Sequence, residues 1–291
     1  MNPATKQLQL RLKALSDPIR LRLIALCQIA ECSVTELVAV TGLSQPRVSQ
    51  HLKQLCDVGL LERFRDGHFV FYRTASETAE QRRLFALVPE DEPRFDRDIA
   101  ALRSQREVEG RDPEQVTGGD RSLYKALVEL TVARPLGDLL DIGCGQGRIL
   151  KLLASRAHRS VGVDVDKNAR RLARAELFLA GIPNCSLRQG DMLALPFEDQ
   201  SFDTIILDDV LRATDEPAAA LREAARLLRP AGRILMLSAI GGDDADAVKR
   251  SFANWAGSSD LRLAQPRSIP TQNPDWLLAV ATSAADKAVA A

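Results

Sequence analysis

Apolar residues in the first 60 positions recur at helical spacing and divide this stretch into short amphipathic segments. Asp17, followed by a proline, is typical of a helix start, because its carboxylate accepts backbone N–H groups and proline loses nothing at the first helical position. Residues 33–36 (SVTE) form a capping box that predicts a third helix, and Gly42 supplies a turn before a fourth helix capped by Ser44. The apolar positions that define these helices are Leu8, Leu10, Leu12, Leu15, Ile19, Leu21, Leu23, Ile24, Leu26, Leu37, Val38, Val48, Leu52 and Leu55.

Beyond Gly59 the pattern changes to β-rich runs. Residues 60–64 and 69–73 flank residues 65–68 (RDGH), in which the Asp-Gly step is a strong hairpin-turn signal. A β-hairpin that follows closely spaced helices is the wing of a winged helix-turn-helix. The pattern therefore predicts this fold for the N-terminal part of the chain.

The buried positions of the fourth helix leave its polar side chains on the outer half of the helix. Glutamine and arginine side chains make bidentate contacts with adenine and guanine edges, and serine and lysine are natural partners of phosphates. Basic residues of the hairpin are expected to reach the flanking backbone or the minor groove. The sequence thus predicts double-stranded DNA as a partner. The expected DNA-binding residues are Ser44, Gln45, Arg47, Ser49, Gln50, Lys53, Arg63, Arg65 and His68.

The segments LSDPIRLRLIALC and SVTELVAVTGLSQPRVSQHLKQLCDVGLLERFRDGHFVFYRT resemble the ArsR/SmtB family of bacterial winged-helix repressors. The resemblance implies a homodimer that binds an inverted-repeat operator. Metal-sensing members carry a Cys-x-Cys pair on the third helix, whereas residues 36–40 of this chain contain no cysteine, so no metal is expected. Cys27 and Cys56 are expected to fill the core, and the role of Cys32 stays open.

A helix that begins near Ser76 corresponds to the dimerising helix of that family, and residues 89–93 (PEDEP) then break the pattern. A further short helix with Phe95, Ile99 and Leu102 precedes a polar stretch up to residue 120. We expect a DNA-binding and dimerisation domain over residues 1–88 and a partly helical connector over residues 89–120. The apolar residues of the dimerising helix are Leu84, Phe85, Leu87 and Val88.

The rest of the chain, residues 121–284, alternates buried β-type runs with helical segments, which predicts a doubly wound α/β sheet. The fold class is therefore α/β with two domains, a winged helix-turn-helix followed by a Rossmann-like sheet. Strands are expected at residues 139–142, 160–164, 186–192, 203–208 and 233–237, with closing strands near 261–263 and 276–280. Helices are expected at residues 149–157, 167–180 and 245–255.

The first of these strands runs into a glycine loop, residues 143–147 (GCGQG), in which glycines permit a sharp turn and close backbone approach to a ligand. The second strand ends in Asp164, which lies 17 residues beyond Gly147. An acid at this position is placed to accept both hydroxyl groups of a ribose. The pattern favours a ribose-containing ligand, which leaves NAD open as a ligand and an empty core as the other alternative.

The segments LLDIGCGQGR, GVDVD, GDMLALPFEDQSFDTIIL and AARLLRPAGRILM resemble class I S-adenosylmethionine-dependent methyltransferases. The resemblance implies S-adenosylmethionine or S-adenosylhomocysteine as the ligand. It places the amino-acid end of the ligand at Asp141 and the glycine loop, the ribose at Asp164, and the adenine at Asp191 with Met192 nearby. The expected ligand-binding residues are Asp141, Gly143, Cys144, Gly145, Gly147, Asp164, Val165, Asp191, Met192 and Asp208.

The sequence leaves open whether this domain turns over substrate, and no catalytic residue is assigned. Methyl transfer depends on proximity and alignment, and the chain is short after the fourth and fifth strands, where many methyltransferases build a substrate cap. We favour an effector-sensing regulator of methionine-cycle genes over an active methyltransferase that acts on a small molecule. Arsenite methylation is less favoured, because Cys144 and Cys185 are the domain's two cysteines.

Composition and charge agree with a cytoplasmic, DNA-binding protein. The chain has 45% hydrophobic and 27% charged residues, no apolar run long enough to span a membrane, and no signal-peptide pattern at its N-terminus. Residues 1–75 contain ten Lys/Arg and six Asp/Glu, a net charge of +4, which the remainder balances with −4. A basic N-terminal part is suited to attract phosphates.

Overall fold

The computed structural model of the chain describes residues 2–67, 69–75, 78–89, 91–109, 118–241 and 244–284. The chain divides into two compact units, a first unit (residues 1–111 and 174–183) and a second unit (residues 112–173 and 184–291). Each unit has its own hydrophobic core. No helix in the described ranges is long and apolar enough to cross a membrane.

The first unit combines helices with a small antiparallel sheet whose strand order is β1-β3-β2. This arrangement confirms the winged helix-turn-helix, with the β2–β3 hairpin as its wing. The elements of this unit, in chain order, are α1 (Pro3–Leu15), α2 (Pro18–Ile29), β1 (Cys32–Ser33), α3 (Val34–Thr41), α4 (Gln45–Asp57), β2 (Leu61–Asp66), β3 (Phe69–Thr74), α5 (Ala79–Phe85) and α6 (Pro93–Glu109).

The starts of α2 and α3 follow from the expected caps. The Asp17 carboxylate accepts the backbone N–H groups of the first turn of α2, and Ser33 and Glu36 complete a reciprocal capping box at α3. Gly42 ends α3 in the left-handed conformation, with a φ of 69°. Ser44 is the N-cap residue of α4, as expected, with the extended backbone of a cap, but its side chain makes no cap hydrogen bond.

The wing is longer than the sequence predicts. Strand β2 continues through Asp66, which pairs with Phe69, so Asp66 belongs to the strand and not to the turn. Gly67 has a φ of 60°, the left-handed conformation that two-residue hairpin turns require. His68, the other turn residue, lies outside the described residues.

Helix α5 is shorter than the sequence predicts, and helix α6 is longer. Helix α5 begins at Ala79, after a capping box formed by Thr78 and Gln81, and ends at Phe85. Helix α6 is longer than expected, since it continues to Glu109, and it packs against α2 and α3. Arg106, in the last part of this helix, is a polar residue that is buried. Residues 110–117 of the expected connector lie outside the described residues.

The second unit is built on an eight-stranded sheet with the order β10-β11-β8-β7-β4-β5-β6, in which β9 pairs with β11. Strands β6, β5, β4, β7 and β8 are parallel, and β11 runs antiparallel to β8. This order confirms the doubly wound Rossmann-like sheet. The elements are α7 (Gly118–Ala133), β4 (Asp138–Ile142), α8 (Arg148–Leu153), β5 (Arg159–Asp164), α9 (Lys167–Leu179), β6 (Cys185–Gln189), β7 (Phe202–Asp208), α10 (Pro217–Leu227), β8 (Leu228–Ala239), α11 (Ala245–Gly257), β9 (Leu261–Leu263), β10 (Arg267–Ile269) and β11 (Trp276–Ser283). The residues of α9 from Arg174 onward belong to the first unit.

Three elements of the second unit have other bounds than the sequence predicts. Helix α7 starts at Gly118, inside the range expected to be a connector. Strand β8 begins at Leu228, five residues early, because Leu228 pairs with Phe202 before a register shift. Strand β6 ends at Gln189, so Asp191 and Met192 lie on the following loop.

Candidate functional site

Helix α4 presents the predicted DNA-reading side chains on one face. Val48, Leu52 and Leu55 are fully buried and fix the orientation of the helix on the core. Ser49 is half-buried. The exposed members of the set on and before this helix are Ser44, Gln45, Arg47, Gln50 and Lys53. Five of the six predicted DNA-reading residues on and before α4 are therefore exposed to solvent.

The wing adds two exposed cations. Arg63 and Arg65 are two residues apart on β2, so they project from the same face of the hairpin. On the other face Phe64 stacks on Phe71, with ring centroids 5.9 Å apart. Aromatic packing on one face thus directs the two arginines to the opposite, solvent-exposed face.

Arg20 ties helix α4 to the rest of the first unit. Its Nε donates to the Ala14 carbonyl oxygen at 2.6 Å, and its Nη1 donates to the Gln54 side chain on α4. One guanidinium on α2 therefore joins the end of α1 to the recognition helix. This contact helps to hold α4 rigidly, as base readout requires.

The glycine loop of the second unit wraps around the end of β5. The N–H groups of Gly143 and Cys144 both donate to the Val163 carbonyl oxygen, at 2.8 and 2.9 Å. Gly143 has a φ of 71°, and a Cβ at this position would lie 2.3 Å from Val210 Cγ1. Gly145 has a φ of 50° but faces open space, so its backbone is accessible to a ligand.

Asp164 links this loop to the end of β5. Its Oδ2 accepts the Gly145 N–H at 2.8 Å, and its Oδ1 accepts the Asp166 N–H at 2.8 Å. A carboxylate oxygen has two acceptor positions, so both oxygens keep capacity for hydroxyl donors. The position suits the expected diol contact, and it also shows that Asp164 supports the loop conformation. The neighbouring Val165 is 66% exposed.

Asp141 carries an unsatisfied acceptor at the centre of the site. The residue is 1% exposed, and its Oδ1 has no hydrogen-bond partner. Burial raises the pKa of this carboxyl well above its usual range, and the charges of Asp208 and Asp164 raise it further while Arg148 opposes them. A buried acceptor without a donor costs about 1–3 kcal/mol. A ligand that brings an N–H or ammonium donor would remove that cost.

Three further predicted ligand residues differ in how far they are exposed to solvent. Asp191 is exposed, and its Oδ1 accepts the Leu193 N–H at 3.0 Å. Met192 is half-buried and packs against the core of the second unit. Cys144 is buried in the loop, and burial raises the pKa of its thiol well above the usual range, which makes it a poor nucleophile.

The structure adds a charged cluster that the sequence analysis missed. Arg148, the first residue of α8, donates through Nη1 to Asp120 Oδ1 and through Nη2 to Asp208 Oδ2, both at 2.8 Å. Its guanidinium lies 4.7 Å from the Trp276 ring centroid and 6.0 Å from that of Tyr124. The one signal in the sequence that could have pointed to Arg148 is its position directly after the glycine loop.

These residues meet at one edge of the sheet. Asp141, Asp164 and Asp208 lie at the carboxyl ends of β4, β5 and β7, which are neighbours in the sheet. That edge is where open α/β sheets bind ligands. The open backbone at Gly145 and the donor-free Asp141 oxygen fit an adenosyl amino acid. Within the described ranges, no group of three or more His, Cys, Asp or Glu side chains is arranged to hold a metal ion.

Comparison with protein families assigns both parts of the chain. Residues 17–63 match the family of bacterial regulatory proteins of the arsR type. Residues 140–236 match the methyltransferase domain family. The first match contains helices α2 to α4 and the start of the wing, and the second contains the glycine loop, Asp164 and Asp208.

Several proteins are similar in sequence to parts of this chain. An uncharacterized 37.1 kDa protein in transposon TN4556 of Streptomyces fradiae is 33% identical over 55% of this chain and 50% of its own length. Nocamycin O-methyltransferase of Saccharothrix syringae is 38% identical over 39% of this chain and 42% of its own length. Demethylmenaquinone methyltransferase of Roseiflexus castenholzii is 36% identical over 41% and 50%. The chain thus spans half or less of each relative.

Solved structures resemble the chain over about three-fifths of its length. N-methyltransferase NodS from Bradyrhizobium japonicum WM9, in complex with S-adenosyl-L-homocysteine, is 20% identical with a TM-score of 0.49, covering 61% of this chain and 96% of that chain. A SAM-dependent methyltransferase from Aquifex aeolicus is 15% identical with a TM-score of 0.48, covering 62% and 96%.

Proposed function

We propose that this chain, whose parts match the arsR regulatory family and the methyltransferase domain family, is a DNA-binding transcriptional regulator whose methyltransferase-like unit binds S-adenosylmethionine or S-adenosylhomocysteine as an effector. The proposal is carried by two features that occur together in one chain. They are a solvent-exposed reading face on α4 and a buried Asp141 oxygen that lacks a donor. Genes of the methionine cycle are the natural targets of such a regulator.

The proposed DNA contacts use both exposed surfaces of the first unit. Gln45, Arg47 and Gln50 on α4 would read base edges in the major groove, and Ser44, Ser49 and Lys53 would hold phosphates. Arg63 and Arg65 on the wing would contact the neighbouring backbone or minor groove. The exposure of this set supports the assignment.

A homodimer on an inverted repeat is part of the proposal. Leu84 and Phe85 pack into the core of the first unit, so they offer little surface to a second copy. Exposed leucines supply that surface instead, and Leu87 is 70% exposed. The other exposed leucines, all on α1, are Leu8, Leu10 and Leu12. A dimer-sized apolar contact through these residues would place two recognition helices on two half-sites.

The ligand contacts divide between the two ends of an adenosyl amino acid. Asp141 and the loop glycines would hold the amino-acid end, Asp164 the ribose, and Asp191 with Met192 the adenine. The absence of a donor at Asp141 Oδ1 favours a ligand with an ammonium group. S-adenosylmethionine and S-adenosylhomocysteine both carry one.

Sensing is favoured over turnover because the segments that follow β7 and β8 are short. Residues 209–216 lead from β7 directly to α10, and α11 is the one helix that the described residues form between β8 and the closing strands β9 to β11. A methyl acceptor must be held in line with the sulfonium group, and these segments add little that could enclose it. An active methyltransferase that acts on a small molecule is the second candidate. It is supported by the sequence identity of 38% and 36% to the nocamycin and demethylmenaquinone methyltransferases.

The test is a turnover assay on the full chain. The protein is incubated with S-adenosylmethionine and candidate acceptors, including demethylmenaquinone and arsenite, and S-adenosylhomocysteine formation is followed. We expect binding of the adenosyl ligand by calorimetry without sustained product formation. Steady turnover with any acceptor would favour the second candidate, and binding of NAD instead of either sulfur ligand would overturn the ligand assignment.

A further inference from the structure

We infer that Arg148 is the residue that recognises the α-carboxylate of the ligand's amino-acid end, and that it does so by exchanging Asp120 for that carboxylate. The inference rests on the proposed function, because it assigns the specificity of the same ligand site. It goes further by naming the charged group of the ligand that decides selection and the protein group that competes with it.

The first argument is charge balance at the ligand edge. An amino acid carries both an ammonium and a carboxylate, and Asp141 offers an acceptor only for the ammonium. A carboxylate brought beside Asp164 and Asp208 meets acids of its own sign. Arg148 is the cation of this group, since its Nη2 lies 2.8 Å from Asp208 Oδ2. The two terminal nitrogens of arginine donate separately, so Nη1 can bind the ligand carboxylate while Nη2 keeps Asp208.

The second argument is that one of the two partners of Arg148 is easier to give up. Asp208 ends strand β7, which is hydrogen-bonded to β4 and β8 on its two sides. Asp120 lies in the first turn of α7, directly after two glycines. A helix end frays more readily than a central strand moves. The ligand carboxylate would therefore replace Asp120, which is 7% exposed and would move to water with the end of α7, and leave the Arg148–Asp208 pair intact.

The third argument is that Arg148 is held in place while its partner changes. The Trp276 ring lies 4.7 Å from its guanidinium carbon, and the Tyr124 ring lies 6.0 Å away. Burial opposes the charge of Arg148, but Asp208, Tyr124 and Asp120 together outweigh this effect, so the pKa of the guanidinium is raised. Arg148 thus stays charged, and limited access of water strengthens its pairing with a carboxylate.

The experiment compares two ligands that differ in one group. Calorimetry on the full chain measures S-adenosylhomocysteine and its decarboxylated analogue, which keeps the adenosine, the thioether and the ammonium. The variants are Arg148→Ala, Arg148→Lys and Asp120→Asn, with Lys151→Ala, an exposed charge on the same helix α8, as the matched control.

We expect wild type to prefer S-adenosylhomocysteine over the analogue by roughly 10–100-fold, the worth of a charge-assisted hydrogen-bond pair. Arg148→Ala should bring this ratio close to one, and Arg148→Lys should restore part of it. Asp120→Asn should tighten S-adenosylhomocysteine binding several-fold and leave the analogue unchanged, because it removes the competing carboxylate. Lys151→Ala should behave like wild type.

Four results would contradict the inference. Equal weakening of both ligands by Arg148→Ala would assign Arg148 a structural role only. Weaker binding of S-adenosylhomocysteine by Asp120→Asn would contradict the exchange. If wild type binds both ligands with equal affinity, the inference fails while the proposed function stands, whereas a wild type that binds neither ligand would overturn both.

Discussion

Arg106 donates two hydrogen bonds to Glu36, through Nε at 3.0 Å and Nη2 at 2.9 Å. The other oxygen of the same carboxylate accepts the Ser33 N–H at 2.7 Å and thereby closes the capping box of α3. Arg106 is 1% exposed and also donates to the Glu31 carbonyl oxygen. The last turns of α6 therefore hold the first helix of the helix-turn-helix in place.

Loss of this arginine should destabilise the first unit. Arg106→Ala leaves the Glu36 charge without its buried partner, which costs roughly 3–5 kcal/mol for a buried pair. The measurement is chemical denaturation of the full chain, followed through the transition of the first unit. Arg94→Ala, which removes an exposed charge from the same helix α6, is the control. If the two variants unfold alike, the Arg106–Glu36 pair does not hold α3.

Arg47 is the sharpest test of the reading face. Arg47→Ala should weaken binding to a preferred DNA duplex by about 1–3 kcal/mol and relax base preference at one position, as loss of a bidentate base contact does. The preferred duplex is selected by the protein from a random-sequence pool, and affinity is measured by fluorescence anisotropy at fixed salt. Arg94→Ala removes the same charge outside the reading face. Unchanged selectivity in Arg47→Ala would contradict the placement of the recognition helix.

Local signals predicted the first unit where short-range chemistry decides the structure. Asp17 and the Ser33–Glu36 box act within one helical turn, so the sequence alone places the starts of α2 and α3. Arg106 was assigned to a polar connector because its partner Glu36 is 70 residues away in the chain. A buried ion pair between distant residues leaves no periodic pattern in the sequence.

The same division applies to the ligand site. The glycine loop and the acid at the end of β5 follow one another along the chain, and the spacing between Gly147 and Asp164 predicts their meeting. The cluster of Asp120, Arg148 and Trp276 is assembled from α7, α8 and β11. Strand order across the sheet brings these elements together, and no local pattern encodes that order.

Asp164 should be needed for ligand binding. Asp164→Ala removes a carboxylate that suits a ribose diol and that also accepts the Gly145 N–H, so we expect a loss of roughly 2–4 kcal/mol in S-adenosylhomocysteine binding. The matched control is Asp166→Ala, an exposed acid two residues further on. Calorimetry with both variants checks the expectation. Equal affinities in the two variants would remove Asp164 from the site.

Asp141 should make the stability of the free protein dependent on pH. Burial raises the pKa of its carboxyl in the folded chain, and the charge of Asp208 adds to the rise. The folded chain therefore holds this proton to a higher pH than the unfolded chain does. The contribution of Asp141 to stability falls as the pH rises from its unfolded pKa, about 4, through the folded pKa.

Replacement by asparagine isolates this effect. Asp141→Asn should be more stable than wild type by about 1 kcal/mol or more at pH 8, with a difference that shrinks towards pH 4. S-adenosylhomocysteine should raise the melting temperature of wild type much more than that of the variant, because its ammonium supplies the donor that Asp141 lacks. A stability difference that does not change with pH would contradict the account of Asp141.

The central claim is that ligand and DNA bind to the same molecule with coupled affinities. The most direct measurement is the Kd of the full chain for its selected duplex, by fluorescence anisotropy, without ligand and with saturating S-adenosylhomocysteine or S-adenosylmethionine. The account predicts a change of about 10–100-fold with at least one of the two ligands. It also predicts that Asp164→Ala abolishes this change while keeping the DNA affinity of the ligand-free protein. An operator affinity that stays constant under saturation with each ligand would contradict it.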